Sequence, residues 1–194
     1  MDALSDLLRV VRFSGGVFLE ATFRAPWCVR AQVSKDDCGP GVRVDAELVA
    51  FHYILDGRLQ VRLGKEVPRT AGPGEIIVLS HNDAHLLGSD VALPPIDAVP
   101  LIRKAGDHEP ARLDFGTGRK VMNHFVCGFL ATSMRRHPLL VALPPLLVTN
   151  LRGRPCAEWA ETSFRYAARE HASRRPESQE ILARLAEMLF AEAV

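Results

Sequence analysis

Three side chains of this 194-residue chain have the chemistry to hold a metal ion or a ligand, and each lies in or just after an apolar run. His52 falls within Leu48-Val49-Ala50-Phe51-His52-Tyr53-Ile54-Leu55. Cys127 falls within His124-Phe125-Val126-Cys127-Gly128-Phe129-Leu130, and His85 follows Ile76-Ile77-Val78-Leu79. Two imidazoles and a thiol are a borderline-soft donor set suited to Zn²⁺, with a fourth position left to water or an effector. The plainer reading is a satisfied core histidine, a histidine at a strand end and a buried thiol, because ligand-type residues inside cores are mostly structural.

The remaining reactive residue types offer less. His124 is three residues from Cys127, so on a strand it faces the other way. His81 sits in a polar turn, and His108, His137 and His171 lie in loop or helix contexts, so all five read as surface or structural. Cys28, Cys38, Cys127 and Cys156 form no CxxC pair. In a reducing compartment they are expected as thiols, most simply as small buried hydrophobes. Glu20, Asp45 and Glu47 stand at no spacing that would make a catalytic carboxylate pair. The sequence has no Gly-x-Ser-x-Gly, no Gly-rich phosphate loop and no His-Glu-x-x-His. Trp27, after Pro26 at a strand start, and Tyr53, Arg30 and Gln60 are candidates for contact with a small ligand.

The elements that must position these residues follow from the hydrophobic spacing. Leu4, Leu7, Leu8 and Val11 predict a short N-terminal amphipathic helix. From Gly15 to about Thr149, apolar and β-branched runs at 17–23, 48–55, 59–63, 76–79 and 124–130 are separated by Gly, Pro, Asp and Asn, which predicts an all-β sandwich or barrel. Asp56-Gly57 reads as a hairpin turn and Gly72-Pro73-Gly74 as a second tight turn. The run 48–55 is apolar on both faces except for His52, so it should cross a sheet covered on both sides. Residues 91–118 are broken by Pro and Gly and read as loops with one or two short edge strands. After Pro155 the period becomes helical. Trp159, Ala160, Ser163, Phe164 and Ala167 form one stripe, and Ile181, Leu185, Met188 and Leu189, flanked by Leu182, form another, which predicts two antiparallel helices.

Length and composition bound the function. One domain of this size buries enough surface to fold without disulfides or metal. Basic and acidic residues number 24 and 23, a net charge of +1, which argues against a broad phosphate-binding face. The opening Met1-Asp2-Ala3-Leu4-Ser5-Asp6-Leu7-Leu8 puts acids before the apolar residues and is not a signal peptide. No window reaches the roughly 18 apolar residues of a membrane span, so a cytoplasmic protein is expected. The chain reaches Val194 within an apolar helical pattern without a stop signal, from which a longer natural polypeptide is expected.

Four stretches in order carry a family likeness. They are Phe51-His52-Tyr53-Ile54-Leu55-Asp56-Gly57, then Gly72 to His85 with Gly72-Pro73-Gly74-Glu75-Ile76-Ile77-Val78-Leu79, then Phe125-Val126-Cys127-Gly128-Phe129, and finally Ile181 to Phe190. Together with the opening residues and Pro26-Trp27, they resemble the cupin-type N-terminal domain of AraC-type transcriptional regulators. The resemblance covers nearly the whole chain. It implies a mainly β fold: a cupin-like double-stranded β-barrel, or jelly roll, over residues 1–150 with the short N-terminal helix. A helical dimerisation and linker segment over 151–194 would follow. The paired helix-turn-helix domain that reads DNA in such regulators lies outside these 194 residues.

The resemblance also narrows the chemistry. Cupin enzymes carry a His-x-His pair and a Glu before the first hairpin. Here the Glu position falls on Ala50 and no His-x-His precedes it. His85 alone keeps the position that ends the Pro-x-Gly-x-x-His pattern, with Ser80 and Asn82 in place of the Pro and Gly. His52 and His85, on strands expected to be neighbours, and Cys127, on a later strand facing them, could still bind Zn²⁺. Trp27, Tyr53, His52 and His85 are the expected effector contacts. Ile181, Leu185, Met188 and Leu189 are the expected homodimer seam. The leading expectation is therefore a non-enzymatic, cytoplasmic effector-sensing and dimerisation domain. A small metal-dependent cupin isomerase or dioxygenase using His52 and His85 is the alternative, and a stand-alone metal or ligand store is a third.

Overall fold

The computed structural model describes residues 14–34, 38, 43, 45–104, 111–119, 122–134, 137–154, 158, 159, 162 and 177–194. The expected helix at 3–12 lies outside these residues, as does most of the first C-terminal helix stripe.

Eleven strands form two sheets among the described residues. In chain order they are β1 (Ser14–Phe23), β2 (Cys28–Ala31), β3 (Glu47–Gly57), β4 (Leu59–Leu63), β5 (Arg69–Ala71), β6 (Glu75–Leu79), β7 (His85–Gly88), β8 (Ile96–Asp97), β9 (Ala111–Phe115), β10 (Asn123–Thr132) and β11 (Leu146–Asn150). Helices α1 (Ala98–Lys104), α2 (Pro138–Ala142) and α3 (Glu177–Ala193) complete the described elements. The larger sheet runs β11-β6-β3-β10-β1-β9 and the smaller β5-β4-β7-β2-β8. Both are antiparallel apart from one parallel edge pairing each, β1 with β9 and β2 with β8.

The alternation along the strands sorts the apolar residues into two cores. Leu19, Ala21, Phe23, Ala50, Ile54, Ile77, Leu79, Phe125, Cys127 and Phe129 from the large sheet meet Val29, Leu59, Val61 and Leu87 from the small one. That is the barrel interior. The opposite face of the large sheet presents Val49, Phe51, Tyr53, Leu55, Ile76, Val78, Val126 and Leu130 to Leu185, Ala186, Leu189 and Phe190 of α3. β3 is thus buried on both faces, as its unbroken apolar run predicts.

Asp56-Gly57 does not make a hairpin. β3 pairs with β6 and β10, whereas β4 pairs with β5 and β7 in the other sheet. The chain turns a corner from one sheet to the other here, with Gly57 at a φ of +81° and hard against the Met122 backbone carbonyl, where a Cβ has no room. Gly72-Pro73-Gly74 makes a second corner of this kind, between β5 and β6, with Gly74 also at a φ of +81°. Tight-turn chemistry is present at both places, but it serves a change of sheet. The broken stretch after residue 91 holds the expected short edge strands, β8 and β9, and also α1, which the prolines obscured. Pro100 lies in the first helical turn, where its missing N–H costs no intrahelical bond, and the Asp97 side chain accepts the Val99 N–H at 2.9 Å.

Candidate functional site

His52, His85 and Cys127 meet inside the barrel, by a different route from the one the strand order suggested. β3 and β10 are direct neighbours, and Cys127 stands opposite His52 in their register. His85 arrives from β7 in the facing sheet. His52 Nδ1 lies 2.9 Å from Cys127 Sγ, and His52 Nε2 lies 2.8 Å from His85 Nε2. His85 Nδ1 lies 2.9 Å from the Asp83 carbonyl oxygen.

That last contact orders the protons along the chain. A carbonyl only accepts, so His85 donates from Nδ1 and accepts at Nε2. His52 then donates from Nε2 to His85 and accepts at Nδ1 from the Cys127 thiol. Every strong donor and acceptor of the two rings is used, with all three side chains neutral. The electrostatics agree. Burial, and then the neighbouring His85, hold His52 well below the ordinary histidine range. Burial also lowers His85, partly opposed by its bond to the Asp83 carbonyl, and burial pushes the Cys127 thiol up.

The turn that delivers His85 is held from behind. Asn82 adopts a φ of +52°, and its side chain makes both backbone bonds to Val33: Oδ1 accepts the N–H at 3.1 Å and Nδ2 donates to the carbonyl at 2.8 Å. Gln32 Nε2 donates to the Asn82 carbonyl at 2.9 Å. An Asn tolerates this left-handed conformation better than most residues, which accounts for it standing in the turn Ser80-His81-Asn82-Asp83.

These three donors form a line and do not surround a common point. The lone-pair directions of the two imidazole nitrogens diverge, so one ion bound by all three would require His52 to release Cys127 or His85. Among the described residues, no group of three or more His, Cys, Asp or Glu is arranged to hold a metal ion. Zn²⁺ does not fit the donor set in this arrangement.

The chain of three lies in the lining of a cavity of about 500 Å³, its open mouth included. Leu19, Phe23, Val29, Leu87, Leu113 and Phe125 line it from the two sheets, and Ala98 and Ile102 of α1 join the lining. The α1 contribution was missed from the sequence. The signal for it is Asp97 as a cap followed by Ala98, Leu101 and Ile102 at helical spacing.

Two expected effector contacts lie elsewhere. Tyr53 is buried in the core beneath α3, on the opposite face of β3 from His52. Trp27 sits one ring behind the pocket wall, stacked on Phe125 at 6.0 Å and packed on Phe23 at 4.3 Å, with Nε1 donating to Asn123 Oδ1 at 2.9 Å. Two residues of the expected dimer seam are covered within the chain itself. Leu185 and Leu189 are 0% exposed because the chain's own large sheet covers them, whereas Met188 is 40% exposed. The Ile181 side chain lies outside those described. Of the other histidines, His124 bridges Glu20 and Asp56, and buried His137 accepts the Leu139 N–H at the start of α2; His108 and His171 are outside the described residues. Cys28, Cys38 and Cys127 are buried free thiols, as expected.

Two facing sheets, corner turns that pass the chain between them and an enclosed pocket define a double-stranded β-barrel of the cupin class. A cupin family model matches residues 2–194, and the chain belongs to that family, the cupin-type N-terminal domain of AraC-type transcriptional regulators. The chain is 24% identical over 198 residues to the HTH-type transcriptional regulator AlkR of Acinetobacter baylyi, an alignment covering 100% of this chain and 60% of that protein. It therefore spans about three fifths of the length of this curated relative. An apo crystal structure of ToxT from Vibrio cholerae is similar at a TM-score of 0.41 and 10% identity, covering 93% of this chain and 54% of that one. No helix among the described residues is long and apolar enough to cross a membrane.

Proposed function

We propose that this chain is the sensing domain of an AraC-type transcription regulator and captures a small effector in the barrel pocket, without catalysing a reaction on it. The pocket carries this reading: both sheets and α1 contribute to its lining, and among the described residues its potentially reactive groups, His52, His85 and Cys127, are neutral and bonded to one another. A general base or nucleophile needs a free lone pair or a lowered thiol pKa. Cys127 has the reverse, and His52 spends both nitrogens.

Signal transfer has a short path. β10 turns Phe125 and Cys127 into the pocket and, at alternate positions, Val126 and Leu130 toward α3. An effector that binds one placement of β10 more tightly than another shifts α3 by that difference in affinity. DNA would be read by a separate helix-turn-helix domain of the same cytoplasmic polypeptide. The test is the coding sequence 3′ of the Val194 codon in the source genome. Two helix-turn-helix patterns are expected there, and a stop codon directly after Val194 would overturn the regulator reading in this form.

A further inference from the structure

We infer that the pocket takes an uncharged, largely hydrocarbon ligand, to the exclusion of sugars and organic acids; this names the effector class of the sensing site proposed above and rests on that proposal. Among the described residues, no Asp, Glu, Lys or Arg contributes to the lining. Ten of the fourteen lining residues are Leu, Val, Ile, Ala or Phe. The four others are Gln32, His52, His85 and Cys127.

Three of those four have no hydrogen bond left to give. His85 donates to Asp83 and accepts from His52, and His52 accepts from Cys127. Gln32 is exposed at the rim, and its amide nitrogen donates to the Asn82 carbonyl. The floor is polar in composition and saturated in bonding. A sugar entering here would strip water from several hydroxyls and find, among the described lining residues, only the rim amide of Gln32 to partner them, and each buried unpaired group weakens binding. A carboxylate would meet no cation among the described lining residues. A hydrocarbon surface requires only contact area, which Phe23, Phe125, Leu19, Leu87 and Leu113 supply.

The probe is N-phenyl-1-naphthylamine, an uncharged dye that fluoresces in apolar surroundings, bound to this chain and displaced by competitors of matched length. 1-Decanol should displace it. Decanoate, at a pH where it is ionised, should be at least about 100-fold weaker, the expected effect of burying an unpaired carboxylate. Glucose should not compete. Ile102→Arg, which sets a cation in the pocket wall, should raise the affinity for decanoate relative to decanol. Decanoate or glucose competing as well as decanol would overturn the ligand class and leave the pocket intact as a binding site. No dye binding, or binding unchanged in both Ala31→Phe and Ala98→Phe with each variant shown to be folded by its urea transition, would overturn the sensing site itself.

Discussion

Lowering the pH should destabilise this domain well above the range in which carboxylates titrate, and the buried histidine pair sets the size of the effect. His52 and His85 are 4% and 2% exposed, and burial holds both below the ordinary histidine range. A histidine whose folded pKa is depressed contributes stability that is present above its unfolded pKa and lost as the pH falls towards its folded pKa. While the folded state keeps a ring neutral, the unfolded chain gains a proton that the folded chain does not. Each such proton changes stability by about 1.4 kcal/mol per pH unit. Between about pH 7.5 and about pH 5.5, a histidine that stays neutral in the folded state, as the fully buried His52 is held, contributes a loss of about 1.4 kcal/mol, and His85 adds to it in the same direction. The assay is urea unfolding followed by far-UV circular dichroism at fixed pH values across that window. His52→Gln keeps a donor and an acceptor in the chain but does not titrate, so it should make the loss of stability with falling pH distinctly smaller. Stability that is flat or rises as the pH falls through this window, or an unchanged slope in His52→Gln, would refute the neutral, hydrogen-bonded arrangement.

Two further predictions concern the frame around the site. Leu189→Ala should cost about 2–5 kcal/mol of unfolding free energy, because Leu189 is fully enclosed between α3 and the large sheet. Met188→Ala, on the exposed side of the same helix, should stay within about 0.5 kcal/mol, and equal losses in the two would mean that α3 does not pack as described. Asn82→Ala should remove both bonds to Val33 and place a less tolerant residue at positive φ, destabilising the domain by about 2–4 kcal/mol. The same substitution should shift the His85 ring resonances in an NMR spectrum, and an unperturbed His85 would show that the turn is not what aims it.

Much of this fold was legible because its strands obey simple alternation. The runs 59–63 and 76–79 lie within observed strands almost to the residue, and the two-sided burial of β3 follows from its lack of polar interruptions. The turn signals were legible as turns but not as corners. Asp-Gly and Gly-Pro-Gly specify local backbone angles, and whether the emerging strand pairs with its predecessor or joins the facing sheet is decided by distant partners. Thus Gly57 closes against Met122, sixty-five residues on. Likewise α1 was hidden because Pro100 reads as a breaker until Asp97 is seen to cap the turn that contains it.

At the site, face parity and strand order act separately. Ala50, His52 and Ile54 share a face of β3, so Tyr53 must present the other face on any regular strand. A ligand set containing both His52 and Tyr53 contradicts that period, and the structure places Tyr53 beneath α3 accordingly. Face parity is a local property and can be read from spacing alone. It correctly grouped His52 with an inward pocket and separated Cys127 from His124. What spacing does not encode is which strand lies beside β3 and which lies across from it. Cys127 proved to be the neighbour and His85 the residue opposite. That exchange decides the chemistry, because it sets His52 between its two partners, with one ring nitrogen for each, and leaves three donors in a closed line in place of a shared centre.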